Sequence, residues 1–324
     1  MKRFGFDRTR LIVYLAAALV AAVGTFWPTP YSLLLPGTAL DLDKVVSIPG
    51  HASPGVHLYM TDVSLVTNAA PFTLIDAFFP GVRVLKIDDV IPTSVSTDRY
   101  ESLMRDAMQE SQSVSVYVAE RAAGYAMPPV RTQVVVSGIA ATSHAALRAG
   151  DVLLEIDGKP LHSVAALRDA LARVRPGTIA RIAFLRDGKR GETAVATIAL
   201  DGKTKLGVYI GELQKVPRPP VPVTFAIHNV SGSSGGLMFA LEIYRTLRPS
   251  NAHADERIAG TGTLESDGTV GEIAGTMQKL VAARRAGATV FLVPLKNYAE
   301  VKDQHDMRVI PIGTFDEAVK ALAS

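Results

Sequence analysis

The chain has no cysteine among its 324 residues. That excludes disulfides, thiol catalysis and thiolate metal sites, and it leaves the redox compartment open. The seven histidines (His51, His57, His144, His162, His228, His253, His305) are scattered, with no HExxH or comparable ligand spacing. No metal and no other cofactor is therefore expected. Charge of either sign is not in excess: 34 Lys+Arg against 31 Asp+Glu give +3. No basic stripe is interleaved with aromatics, so nucleic acid is not an expected partner. The phosphate-cradling pattern GxxxxGK[ST] is also absent, and no ATPase module is expected.

Long hydrophobic runs are scarce, with one exception at the N-terminus. Lys2, Arg3, Arg8 and Arg10 precede an uncharged run from Leu11 to Trp27. Its seventeen residues are the short end of a membrane-spanning helix. The basic flank would stay in the cytoplasm and send the rest outside, with Trp27 and Tyr31 as aromatic anchors at the far interface. A cleaved signal peptide is the competing reading. Thr25-Phe26-Trp27-Pro28 is a poor small-residue cleavage site, so an uncleaved anchor fits better. Either reading places the body of the protein on the extracytoplasmic side of the cell membrane.

Beyond the anchor, strand-like alternation runs to about Pro92, as in Val56–Val63 and Val82–Ile87. Ser96 to Ala123 reads as a helix with Gly124 as its stop. From Val134 to about Leu200 a compact module follows, with strands at Val152–Ile156 and Ile179–Arg186 and turns at Asp157-Gly158 and Asp187-Gly188. Lys215 to Val223 is proline-rich and reads as an extended connector. Ala288 to Val293 is a buried-type strand, and Thr314-Phe315-Asp316-Glu317 is a capping box opening the last helix.

The candidate chemistry lies between these last segments. The glycine-serine loop Ser231-Gly232-Ser233-Ser234-Gly235-Gly236 feeds an apolar helical run from Leu237 to Leu247. A serine there sits at a helix N-terminus, where unpaired N–H groups favour developing negative charge. A serine nucleophile with a backbone oxyanion site needs that environment. Lys279, forty-five residues after Ser234, opens a second helical run and is the candidate base. Burial beside Leu280, Val281 and Ala282 would lower its pKa and make it competent. Taken singly, a serine-glycine loop is an ordinary turn and a lysine opening a helix is ordinarily solvated.

Two resemblances join these pieces. The segment Ala145 to Pro160, with its Ala-Gly-Asp and Ile-Asp-Gly-Lys-Pro, resembles a bacterial PDZ domain. That implies a groove in which a peptide adds a strand to a sheet edge, and Ser137, Gly138 and Ile139 are the residues expected to bind it. The alternative is a PDZ fold that serves only as a spacer. The region Val223 to Pro294 resembles the proteolytic domain of Lon-type serine-lysine proteases, in the membrane-anchored, PDZ-containing bacterial branch. The signs are the serine loop, Ala259-Gly260-Thr261-Gly262-Thr263, Asp267-Gly268-Thr269-Val270-Gly271, Gln278–Ala283, and Ala286-Gly287-Ala288 leading to Phe291-Leu292-Val293-Pro294. Met108-Gln109-Glu110-Ser111 is similar to a helix that precedes the nucleophile in that family.

The resemblance implies an α+β fold: a Lon-protease-like domain with an inserted PDZ domain, after one transmembrane helix. The expected boundaries are 1–30 for the cytoplasmic tip and anchor, 31–127 for the first part of the Lon-like domain, 128–204 for the PDZ domain and 205–324 for the proteolytic remainder. It further implies an ATP-independent serine endopeptidase acting on proteins or peptides, with Ser234 as nucleophile and Lys279 as base. Thr261 and Glu110 would be supporting residues, Ser233 and Gly235 would belong to the oxyanion loop, and a hexameric ring is the implied assembly. The family's histidine near the nucleophile has no clear counterpart, since His228 is offset. The family's "G-P-S-A-G" is replaced by Gly232-Ser233-Ser234-Gly235-Gly236, which leaves Ser233 as an alternative nucleophile. That altered loop also supports a rival reading: a catalytically degenerate, membrane-tethered peptide-binding protein.

Overall fold

The computed structural model describes residues 8–52, 57–91, 97–139, 146–200, 202–227, 230–249 and 256–322, with side chains from Ile12 onward. Val56, Ser96, Ala145 and His228 lie outside the described residues. The described chain divides into two compact units. One is formed by Met1–Met127 together with Pro219–Ser324, and the other is Pro128–Arg218.

The first unit is built on a six-stranded mixed sheet. Its order is Arg308–Ile312, Val290–Pro294, Arg257–Gly260, His57–Val66, Tyr31–Asp41 and Arg83–Lys86. The first four strands run parallel, and the last two add antiparallel. A parallel strand covered on both faces should be apolar throughout, and Val290–Pro294 is buried at every position. The helix Thr97–Ala122 packs on the helix Gly236–Leu247. Gly124 ends the first of these with φ +93°, the left-handed conformation that glycine adopts without a Cβ penalty. The helix Gly236–Leu247 is buried on nearly all sides, including the polar Glu242. Burial, and then Asp43 and Asp41 opposite, push the Glu242 carboxyl up to about 8. The expected capping box is present: Thr314 Oγ1 accepts from Glu317 N, and Glu317 Oε2 accepts from Thr314 N.

The N-terminal helix runs Arg8–Phe26. Its side chains are exposed from Ile12 to Val23, while Gly24 is buried. Among the described residues no helix is long and apolar enough to cross a membrane.

The second unit is a sheet in the order Val208–Lys215, Arg131–Ile139, Val152–Ile156, Ile179–Arg186, Lys189–Ala196, with the helix Val164–Ala172. Its core is formed by Val134, Leu153, Ile156, Leu167, Ile182 and their neighbours. Asp187 and Gly188 both have positive φ, the two-residue turn whose twist suits a hairpin. Asp151 is buried and bound in a fork by Arg186, Nε and Nη2 donating at 2.7 Å each. That pairing holds the Asp151 carboxyl below the usual carboxylate range. The unit extends to Arg218, past the boundary expected at 204. The reason is pairing: Val208–Lys215 runs antiparallel along the whole of Arg131–Ile139, so the last strand in sequence joins the first.

Candidate active site

Ser234 sits one residue before Gly235, the N-cap of the helix Gly236–Leu247. Lys279 lies in the first turns of the helix Thr276–Arg285, which starts at Gly275 with φ +72°. The strand Arg257–Gly260 ends just before Thr261, between these two helices. Lys279 Nζ donates to Ser234 Oγ at 2.7 Å and to Thr261 Oγ1 at 3.1 Å. Thr261 Oγ1 in turn donates to the Ser234 carbonyl at 3.1 Å, and Gly262 N donates to the same carbonyl at 2.8 Å. The serine is therefore fixed by its backbone and its hydroxyl is met by the lysine.

The lysine is 2% exposed. Removal from water disfavours its ammonium form and lowers its pKa from 10.5 to about 8; the Asp62 carboxylate acts against that shift. Asp62 shares with Met60, Met108, Gly232 and Ser234 the wall of a cavity of about 110 Å³ beside the lysine. Thr38 N and Thr38 Oγ1 donate to Asp62 and hold it. Among the described residues, the N–H groups of Ser234 and Gly235 donate to no protein group, which leaves both available to an oxyanion.

Position 235 has no room for a side chain. A Cβ there would lie 2.1 Å from Met60 Sδ and 2.9 Å from the Phe239 ring. Met60 arrives in register with Gly260, through parallel pairing of His57–Val66 with Arg257–Gly260. Glycine at 235 and methionine at 60 are thus complementary.

The other expected site residues fall differently. Ser233 contributes its carbonyl, which accepts from Ser111 Oγ at 3.0 Å; the lysine meets the hydroxyl of Ser234. Glu110 is exposed and outside the cavity wall, while Met108 of the same helix lines it. Asp62, which the sequence offers only as one position of a strand, is the carboxylate that acts on Lys279. In the second unit, Gly138 and Ile139 are paired with Tyr209 and Val208. That pairing occupies one side of the strand; on the other side, pairing with Val152–Ile156 reaches only Val134 and Val135, so the peptide site expected at Ser137, Gly138 and Ile139 is not contradicted. Val208–Lys215 is the terminal strand of this sheet. Glu212 of that strand accepts from Val164 N at 2.6 Å, at the start of the helix Val164–Ala172. The signal was Leu206-Gly207-Val208-Tyr209-Ile210, a glycine before alternating apolar residues, just beyond the expected end of the module.

The fold and the serine–lysine contact define a mixed α/β protein with a hydrolase-like site and a separate module built on a six-stranded sheet. Comparison with known families specifies both. Residues 226–323 match the Lon protease (S16) C-terminal proteolytic domain, and residues 81–197 match the PDZ domain. The chain carries a Lon-type proteolytic domain together with a PDZ domain. The PDZ match begins at 81, yet Arg83–Lys86 and Thr97–Ala122 pack in the first unit, so the PDZ body itself begins at Pro128. The chain is similar to the Lon protease of Campylobacter concisus, 37% identical over 97 residues, 28% of this chain and 12% of that protein. It is 26% identical over 142 residues to the Lon protease of Xanthomonas oryzae pv. oryzae, 40% of this chain and 16% of that one. It is also 41% identical over 54 residues to the periplasmic pH-dependent serine endoprotease DegQ of Escherichia coli, 17% of this chain and 12% of that protein. The chain thus spans only 12% to 16% of the length of these relatives. A solved PDZ domain of an SdrC-like protein from Listeria monocytogenes aligns at 25% identity and TM-score 0.23, over 24% of this chain and 85% of that one.

Proposed function

We propose that this protein is a membrane-anchored serine endopeptidase that works without ATP, with Ser234 as nucleophile and Lys279 as general base. The observation that carries the reading is the 2.7 Å contact between Lys279 Nζ and Ser234 Oγ in a site where the lysine is buried. Neutral Lys279 takes the Ser234 proton as Oγ attacks the scissile carbonyl carbon. The oxyanion of the tetrahedral intermediate is received by the N–H groups of Ser234 and Gly235. The lysine ammonium then protonates the departing amine, and an acyl-enzyme remains. Water attacks the ester with Lys279 again as base, and Ser234 regains its proton. Thr261 orients the amine by accepting one of its hydrogen bonds.

The complementary fit of Gly235 and Met60 favours this reading over the degenerate binding protein. The altered loop is packed in place: Gly232 N donates to Met104 O, while among the described residues the N–H groups of Ser234 and Gly235 donate to no protein group. Substrate or regulatory peptides add as a strand to a sheet edge of the PDZ unit, with Ser137, Gly138 and Ile139 as the residues that bind them. The anchor is the helix Arg8–Phe26. A helix with apolar residues exposed on every side suits a bilayer, and its basic flank suits the cytoplasmic face. The body is then extracytoplasmic, and the assembly implied by resemblance is a hexamer.

The test is cleavage of an unfolded protein by the full chain in detergent, without ATP, for the wild type and for Ser234→Ala, Ser233→Ala and Lys279→Ala. Loss with Ser234→Ala and Lys279→Ala, and retention with Ser233→Ala, is the expected pattern. A folded wild type that cuts nothing, yet binds peptides, would transfer the assignment to the binding protein.

A further inference from the structure

Residues 71–81 form an apolar surface loop with the sequence Pro-Phe-Thr-Leu-Ile-Asp-Ala-Phe-Phe-Pro-Gly, whose only charge is Asp76. Its short 3-10 turn, Thr73–Phe78, buries no residue. Phe72, Ile75, Phe78 and Phe79 are all exposed, Phe78 at 88%. Large apolar side chains grouped in this way mark a contact surface.

The loop's position identifies what it contacts. Phe72 N donates to Gly24 O at 2.8 Å, and Ala69 N donates to Tyr31 O at 2.8 Å. Gly24 is buried because the Phe72 ring lies against it; a Cβ there would come within 2.4 Å of that ring. The loop is therefore clamped to the C-terminal end of the helix Arg8–Phe26. At 1.5 Å per residue, Gly24 is only about 3 Å below the last helical residue. Phe72 is thus level with Phe26 and Trp27, which are themselves exposed, and Ile75, Phe78 and Phe79 follow it in the same short loop. Aromatic side chains at the end of a membrane helix belong at the lipid–water interface.

We propose that residues 71–81 are a second membrane contact, inserting Phe72, Ile75, Phe78 and Phe79 into the leaflet at the C-terminal end of the helix. The proposal rests on the anchoring reading above. It adds that the proteolytic domain is held to lipid at two adjacent points, so its orientation to the bilayer is set by the loop as well as by the tether.

Trp27 is the only tryptophan, which makes the test direct. The full chain is reconstituted into phosphatidylcholine–phosphatidylglycerol vesicles with or without brominated acyl chains. Emission is compared for the wild type and for the single-tryptophan proteins Trp27→Phe/Phe78→Trp and Trp27→Phe/Phe79→Trp, each checked for an unchanged circular dichroism spectrum. The expected result is blue-shifted emission at all three sites, with bromolipid quenching at 78 and 79 comparable to that at 27. Quenching at 27 with water-like, unquenched emission at 78 and 79 would overturn the loop contact and leave the anchor standing. No quenching at any site would remove the anchor and this proposal together. A blue shift at 78 that grows with protein concentration but is not quenched would assign the loop to a second copy of the chain, and the lipid contact would be wrong.

Discussion

The lysine pKa allows one prediction to be followed through to a number. An unperturbed lysine at 10.5 is neutral in about 0.03% of molecules at pH 7, whereas one at about 8 is neutral in about 9%. Burial of Lys279 therefore raises the competent fraction about 300-fold at neutral pH. The assay is kcat/KM for a quenched-fluorescence peptide from about pH 6 to about pH 10, by the full chain in detergent. The rate should climb about tenfold per pH unit on the acid side and level off above about 8. Stability carries the same signature. The folded-state pKa is depressed, so between about 8 and 10.5 the unfolded chain binds more protons, and stability rises with pH through that window. Lys279→Met removes the buried amine. It should abolish cleavage yet stabilise the protein at pH 7, by at most about 3 kcal/mol. A flat rate profile, or a limb still climbing steeply well above pH 9, would refute the reasoning, since the lysine would not then be the titrating base at about 8.

Other expectations follow from single contacts. Asp62→Asn removes the carboxylate that favours the Lys279 ammonium, so the acid limb of the rate profile should move to lower pH. An unmoved limb would show that Asp62 does not act on the base. Gly235→Ala places a methyl on Met60 Sδ; overpacking should cost about 1–3 kcal/mol in a thermal melt, and displacing Ser234 by about 1 Å should cost on the order of 100-fold in rate. Met60→Ala in the same chain should recover much of both, and no recovery would discount the complementarity. Glu242 is raised from 4.5 to about 8, so the folded state binds more protons across that window and stability falls as pH rises through it. Glu242→Gln should flatten the fall, as read from melting temperature against pH. In the PDZ unit, Arg186→Ala leaves the Asp151 carboxylate buried without its fork and should cost about 3 kcal/mol by denaturant titration.

What the sequence determined by itself is local or repeated in register. Hydrophobic period, turn glycines and the capping box at Thr314 depend on neighbours in the chain, and the helix Thr97–Ala122 and the strand Val290–Pro294 were readable on those grounds. Ser234 and Lys279 were legible because a serine loop and a helix-opening lysine recur in a fixed order with the intervening glycine motifs. Asp62 and Met60 were not. Each is one position of an alternating strand until parallel pairing sets Met60 beside Gly260, two hundred residues away, and brings the cavity wall together. The full extent of the PDZ unit was hidden for the same reason. Pairing of Val208–Lys215 with Arg131–Ile139 carries the module past residue 204 to Arg218. The lysine's altered pKa is likewise a tertiary property. A sequence supplies the amine, but only packing removes the water that keeps it charged.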